Sequence, residues 1–254
     1  MDEIPMTRIP DTLHPWRTIF DLAASTDDSS TWLLVGGLMV QLHALMHSAQ
    51  SRPTLDADVL VNVLAHRQAV HSIVQRLRTE GFEIQDGSLT GYTTRLRRGN
   101  DTVDLLASNH LPERVRRFAT MNGLPMIGMP GSRQAIRRSM MVRLDNGQSQ
   151  ATLCMPDPLG ALLAKAAAWR EVGGDAKERH LMDAALLASL IDNPDAATAR
   201  IDPSSRSDRR NVTTLAQELL GPNGNDYMDF LTDEQRMKAI ICVELLAESI
   251  GFTR

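Results

Sequence analysis

The sequence predicts an α/β (α+β) protein in two parts, a small mixed sheet flanked by helices over residues 1–150 and a helical domain over residues 151–254. Three observations carry this prediction. Apolar and polar residues alternate at period two through the first part, glycines punctuate the short runs, and beyond about residue 150 the strand signals give way to capped helical stripes. A chain of 254 residues can bury a sizeable core in one large or two small domains. Its hydrophobic fraction of 43% and charged fraction of 23% argue against a disordered or fibrous protein.

The elements follow in order. Residues 32–35 form a short apolar run that fits a strand, and after Gly36-Gly37 the residues Leu38, Met39, Leu42, Leu45 and Met46 recur at helical spacing. Over residues 55–63, Leu55, Ala57, Val59, Val61 and Val63 fall on one face of a strand, and Asp56, Asp58 and Asn62 fall on the other. A helical stripe of Val70, Ile73, Val74 and Leu77 covers residues 65–80, with Gly81 able to end it. Residues 82–84, 93–96 and 102–107 read as short strands with Gly87, Gly91 and Gly99 at the turns. In the second part, Asp157-Pro158 opens a helix that runs to Glu171 before Gly173-Gly174. Asp175 with Glu178 resembles a capping box for a helix to about Ile191, and Thr232 with Gln235 does the same for a last helix reaching Ser249. Between them, residues 195–210 read as a polar loop leading into a short helix at 213–220.

No apolar run approaches the roughly 20 residues needed to cross a bilayer, and residues 1–10 are acidic and polar where a signal peptide is basic and then apolar. The expectation is a cytoplasmic protein with no membrane partner. Cys154 and Cys242 lie far apart among apolar neighbours and read as buried free thiols. His43, His47, His66, His71 and His110 show no ligand spacing, so a zinc site is not expected. The net charge of -4 argues against indiscriminate nucleic-acid binding, yet ten arginines face only three acids between residues 95 and 143. That stretch could hold a phosphate backbone; it could equally be a solvated basic face.

Two carboxylates one residue apart on a strand, Asp56 and Asp58, project the same way. Like charges so close repel, so either a cation sits there, one carboxyl holds its proton more tightly, or both face water; Mg²⁺ takes oxygen ligands with substrate phosphates as partners. Alternation alone would also place two acids on a polar face. Asp104 is a third acid inside the apolar run Val103-Asp104-Leu105-Leu106; it completes a carboxylate cluster, faces solvent on an edge strand, or pairs with Arg95 or Arg97. Gly36-Gly37, at a strand-to-helix turn, would let backbone N–H groups approach a triphosphate, or is simply a turn. Lys165 stands out because only three of the 27 basic residues are lysines, and it sits on an Ala/Leu-rich helix from which it could also snorkel to water.

Val35-Gly36-Gly37-Leu38, Arg52-Pro53-Thr54-Leu55-Asp56-Ala57-Asp58-Val59-Leu60 and Val103-Asp104-Leu105-Leu106 together resemble the nucleotidyltransferases of the DNA polymerase beta superfamily. More narrowly, the chain resembles the AbiEii and MenT group of bacterial toxin nucleotidyltransferases, whose Arg-x-Thr-x-Asp-x-Asp strand precedes a lysine-bearing helix, here residues 159–165, and then a basic-to-acidic helix with Lys177, Arg179, His180 and Asp183. The resemblance covers roughly residues 32–190. Two departures are Gly-Gly where most superfamily members carry Gly-Ser, and Ala176-Lys177-Glu178-Arg179 where the group shows a basic residue directly before Asp.

The resemblance implies a nucleotidyltransferase-like fold and transfer of a nucleoside monophosphate from a nucleoside triphosphate (NTP), with Mg²⁺ or Mn²⁺, to the 3′ end of tRNA. It implies that Asp56, Asp58 and Asp104 hold metal, that Asp104 also activates the acceptor, and that Lys165 and the Gly36-Gly37 turn steady the triphosphate. Arg52 and Thr54 fall with the nucleotide, although Arg52 could instead bridge to a nearby acid. Asp183 is either catalytic or paired with Arg179 or His180. Growth arrest controlled by a cognate antitoxin would follow. Two rival readings remain: an aminoglycoside-type small-molecule nucleotidyltransferase, which needs an acidic pocket that the arginine bias disfavours, and a catalytically silent nucleotide- or RNA-binding module.

Overall fold

In the computed structural model, which describes residues 4–9, 15–24, 29–85, 87, 91–174 and 177–252, the chain divides into two units. One comprises residues 1–42 and 52–156, the other residues 43–51 and 157–254. The first contains, in order, β1 (Met6–Arg8), α1 (Trp16–Ala24), β2 (Trp32–Val35), the start of α2 (Gly36–Met46), β3 (Asp56–Val61), α3 (Ala69–Thr79), β4 (Glu83–Ile84), β5 (Arg95–Arg98) and β6 (Asp101–Ser108). It continues with α4 (Glu113–Arg116), β7 (Thr120–Met121), β8 (Leu124–Pro125), β9 (Gly128–Met129), α5 (Ser132–Arg137), β10 (Ser139–Asp145) and β11 (Gln150–Pro156). The second contains α6 (Pro158–Glu171), α7 (Arg179–Ser189), α8 (Pro194–Thr198), α9 (Arg206–Leu219) and α10 (Asp233–Ser249). The mixed α/β class expected from the periodicities is the one observed.

Nine strands form one mixed sheet in the order β1-β10-β11-β2-β3-β6-β5-β4, with β9 added beside the end of β6. β3 runs antiparallel to β2 and parallel to β6, which is antiparallel to β5. The strands expected at 32–35, 55–63, 82–84, 93–96 and 102–107 are all present within a few residues of those limits. What extends the sheet is the β10–β11 hairpin, which carries strand structure to Pro156, past residue 150, where the strand signals of the sequence stop. Its turn is built by Asn146, whose Oδ1 accepts from the backbone N–H of Gln148 and Ser149, and by the following Gly147. Val142 and Leu144 are buried and Arg143 exposed, so β10 does alternate. Its methionines, serine and arginine disguise that alternation.

Burial fixes the faces of β3. Ala57, Val59 and Val61 are fully buried on one side. On the other side Leu60 joins Leu33, Val35, Cys154 and Ala135 in an apolar cluster, with Leu106, Met129, Ile136 and Met141 packed against it. Helix α5 thus roofs one end of the face that also carries Asp56 and Asp58.

The second unit is helical because caps and apolar faces agree. Asp157 accepts from the Gly160 N–H at 2.8 Å, with Pro158 as the first helical residue, and α6 ends at Glu171 as its glycine pair predicts. Thr232 and Gln235 form a reciprocal capping box for α10. Two differences have local causes. In the stretch expected as loop, Asn193 caps α8 through the Ala196 N–H, and Ser205 caps α9 through the Asp208 N–H, so that helix begins at Arg206 and not near 213. Asp175, expected to cap α7, lies outside the described residues; Glu178, before Arg179, makes no side-chain cap. Both cysteines are free and buried, and burial pushes the Cys242 thiol up to about 12. Among the described residues no helix is long and apolar enough to cross a membrane.

The capping box gives a stability prediction. Thr232→Ala removes the acceptor for the Gln235 N–H and should cost about 1 kcal/mol, read as a lower urea midpoint at unchanged slope. A change below the error of the titration would show that α10 does not depend on its cap.

Candidate active site

The register of three strands builds the site. β3 and β6 run parallel with Asp58 opposite Asp104 and Asp56 opposite Thr102, while antiparallel β5 sets Arg95 opposite Asp104. Residues paired across neighbouring strands project from the same face. Asp56, Asp58, Asp104 and Arg95 therefore share one face of the sheet, continuous with Leu60 and Leu106 beneath α5. The acids occupy the end of that face beyond the apolar cluster.

Arg95 holds the acids' charge. Its Nε donates to Asp104 Oδ1 at 2.9 Å and its Nη2 to Asp104 Oδ2 at 2.6 Å, a bidentate pair, and Nη2 lies 3.9 Å from Asp56 Oδ2. The hydrogen bond to Asp104 holds the Arg95 guanidinium well above its ordinary pKa; burial opposes this, and the charges of Asp104, Asp56 and Asp58 reinforce it. One cation thus feels all three carboxylates. Of the roles open to Asp104, metal ligand, solvent-facing edge-strand acid, or partner of Arg95 or Arg97, the structure displays the pair with Arg95. Arg97 instead donates to the Gly99 carbonyl at 2.8 Å. Sequence reasoning named Arg95 only as one possible partner of one acid. Its central place depends on the β5–β6 register, which spacing along the chain does not reveal.

The glycine turn is shaped by the same acid. Gly36 has φ +70°, and a Cβ there would lie 1.8 Å from Asp58 Oδ2. Gly36 is therefore glycine both for its backbone and because the Asp58 carboxylate fills the space of a side chain. A Cβ on Gly37 would meet Thr54 Oγ1 at 3.0 Å and Arg52 Nη2 at 3.2 Å. Gln41 Nε2 donates to the Arg52 carbonyl at 3.0 Å, tying α2 to the segment before β3. Gly36, Gly37, Arg52, Thr54 and Asp58 are thus brought together around the start of α2.

Lys165 and Asp183 lie in the second unit, on α6 and α7. They pair with each other, Lys165 Nζ donating to Asp183 Oδ2 at 2.7 Å, with side chains only 7% and 2% exposed. Lys165 does not snorkel, and Asp183, read from the sequence as either catalytic or paired with Arg179 or His180, has Lys165 as a partner. Lys177 Nζ stacks 4.1 Å from the centre of the Trp169 ring.

Carboxylate oxygens are the donors a hard divalent cation takes, so the chemistry of Asp56, Asp58 and Asp104 fits such an ion. Among the described residues, however, no group of three or more acidic, histidine or cysteine side chains is drawn into a metal-holding arrangement. The Arg95 guanidinium engages the third acid, so a third carboxylate ligand requires Asp104 to exchange that partner.

No family model, curated protein or solved structure matches this chain.

Two sets of substitutions test this geometry. Gly99 also has positive φ, but a Cβ there meets nothing within 4 Å; Gly99→Ala should lose about 1 kcal/mol from backbone strain alone. Gly36→Ala should lose at least about 1 kcal/mol more, and equal losses would mean that Asp58 does not press on the turn. Lys165→Met takes the lysine cation away from a buried carboxylate and should cost roughly 3–5 kcal/mol, most of it recovered in Lys165→Met/Asp183→Leu. Urea unfolding of both proteins checks this, and a single-variant loss no larger than that of a surface pair would contradict the buried pairing.

Proposed function

We propose that the chain is a metal-dependent nucleotidyltransferase that moves a nucleoside monophosphate from an NTP to an acceptor hydroxyl. The observation that carries this reading is the alignment of Asp58 with Asp104 across β3 and β6, with Asp56 on the same face, beside the Gly36-Gly37 turn. In the reaction the acceptor oxygen bonds to the α-phosphorus, the bond from that phosphorus to the pyrophosphate oxygen breaks, and the hydroxyl proton passes to a carboxylate. Asp104, once released by Arg95, is the base for that proton. Backbone N–H groups at the start of α2 donate to phosphate oxygens, and Arg52, beside Gly37, adds a positive charge there. Mg²⁺ or Mn²⁺, bound by Asp56, Asp58 and Asp104, would neutralise phosphate charge.

The acceptor in this proposal is the 3′ end of tRNA, and the protein is the toxin of a toxin–antitoxin pair acting in the cytoplasm. Support for the acceptor comes from the resemblance and from the arginine excess between residues 95 and 143. Lys165 as the triphosphate's counter-charge and Asp183 as a catalytic group enter through the resemblance alone. The bidentate Arg95–Asp104 pair favours a second reading, a catalytically silent nucleotide- or RNA-binding module in which the arginine permanently replaces a cation.

Incubation with labelled triphosphates and Mg²⁺ or Mn²⁺, together with total tRNA or an aminoglycoside panel, separates the readings. The parent protein should label tRNA, and Asp56→Ala should lower the rate by on the order of 100-fold or more. Arg95→Gln should lower the metal concentration needed for half-maximal labelling. Label on the aminoglycosides alone would reassign the acceptor. Triphosphate binding without label on any acceptor would establish the silent module, and undiminished labelling by Asp56→Ala would dismiss these acids as the site.

A further inference from the structure

A second site lies in the first unit, where the start of α3 faces the segment from the end of α4 through β7. A cavity of about 290 Å³ opens there, walled by Arg67, His71, Arg117 and Asn122 over an apolar floor that includes Phe118 and Met121. No carboxylate lines it. The guanidinium carbons of Arg117 and Arg67 stand 4.9 Å and 5.7 Å from the centre of the Phe118 ring. Among the described residues neither arginine has an acidic partner. Two cations held against one aromatic ring, without a counter-ion, repel each other and leave guanidinium planes and donors for an incoming group. An anion bound among them relieves that repulsion, and a planar ring can stack on Phe118 or on the guanidinium planes.

We propose that this cavity binds one nucleoside phosphate, its base against Phe118 and the arginine planes and its phosphate between Arg67 and Arg117. Pockets for small ligands begin at roughly 300 Å³, so the volume suits a single nucleotide and excludes a duplex. Gln68, His71, Thr120 and Asn122 also line the cavity and offer polar groups to a sugar or base edge. Exposed Arg78 lies one helical turn beyond Val74, and exposed Arg114 lies one turn before Arg117. That basic surround extends past one phosphate and favours a nucleotide within a single strand of RNA over a free nucleotide. The site stands on the cavity and its charge alone, whether or not Asp56, Asp58 and Asp104 carry out nucleotidyl transfer.

The test is binding by the full chain without triphosphate or metal. One arm follows the anisotropy of a labelled, short single-stranded oligoribonucleotide over a range of KCl, and the other titrates free AMP by calorimetry. Arg67→Gln/Arg117→Gln should weaken oligonucleotide binding about tenfold or more and make its salt dependence shallower by about 1 in log–log slope. Phe118→Leu keeps the apolar bulk and should weaken binding about fivefold or more with the slope unchanged. Oligonucleotide binding tighter than AMP binding, and sensitive to both variants, identifies a strand as the ligand. Equal affinity for the two probes, with the same sensitivities, identifies the free nucleotide. The inference is overturned if the parent binds neither probe, or if the arginine variant, both of whose replaced side chains are exposed, melts normally and binds as the parent does. A failed labelling assay beside intact, variant-sensitive binding would remove only the nucleotidyltransferase reading.

Discussion

Two carboxylates set side by side on parallel strands need a cation, and the first unit is organised around that need. Unit charges about 4 Å apart interact by roughly 1 kcal/mol in water and about 4 kcal/mol near a protein surface. The register that places Asp58 opposite Asp104, with Asp56 on the same face, would be costly without a counter-charge. The register of β5 against β6 supplies one in Arg95. The register of β3 is not free to slip, because shifting it by one residue would send Ala57 and Val59 outward and turn the acids into the buried side of the sheet. The hydrophobic core therefore fixes the acids, and the acids in turn fix the arginine.

The same constraint reaches the glycine turn. Asp58 is aligned with Val35 on β2, and Gly36 follows immediately, so its carboxylate stands where a side chain on residue 36 would be. This gives Gly-Gly a reason independent of any resemblance: Gly36 yields space to the acid and Gly37 yields space to Thr54 and Arg52. The backbone N–H groups at the start of α2 are consequently held close to an acid, so any anion brought there would be repelled unless a cation is shared between them. A site that combines phosphate donors with a carboxylate cluster is chemically coherent only with such a mediating charge.

Much of this was legible in the chain because it is local. The alternation of residues 55–63 assigns the faces of β3, with the refinement that Leu60 on the acidic face turns apolar to meet α5. Asp157-Pro158 and Thr232 with Gln235 set helix starts through hydrogen bonds spanning three residues. The β10–β11 hairpin is less legible because methionine and serine carry weak strand signals, and Asn146 and Gly147 build its turn. Asn193 and Ser205 were equally local caps, overlooked inside a polar stretch. The pairings of Arg95 with Asp104 and Lys165 with Asp183 belong to another class. They depend on strand register and on the packing of α6 against α7, which no spacing encodes.

Those two ion pairs differ in what they permit. Lys165 and Asp183 are almost wholly removed from water, so separating them carries the heavy cost of breaking a buried ion pair. Arg95 keeps half of its side chain in solvent, and Asp56, its more distant partner, is equally open. An exposed pair contributes only about 0–1 kcal/mol net, and although Asp104 itself is less accessible, the guanidinium can withdraw into water as another cation arrives. The first pair is therefore a structural commitment of the helical unit. The second is the more easily displaced counter-ion, and that difference makes the carboxylate face of the sheet, more than the buried lysine pair, a place where one counter-charge can give way to another.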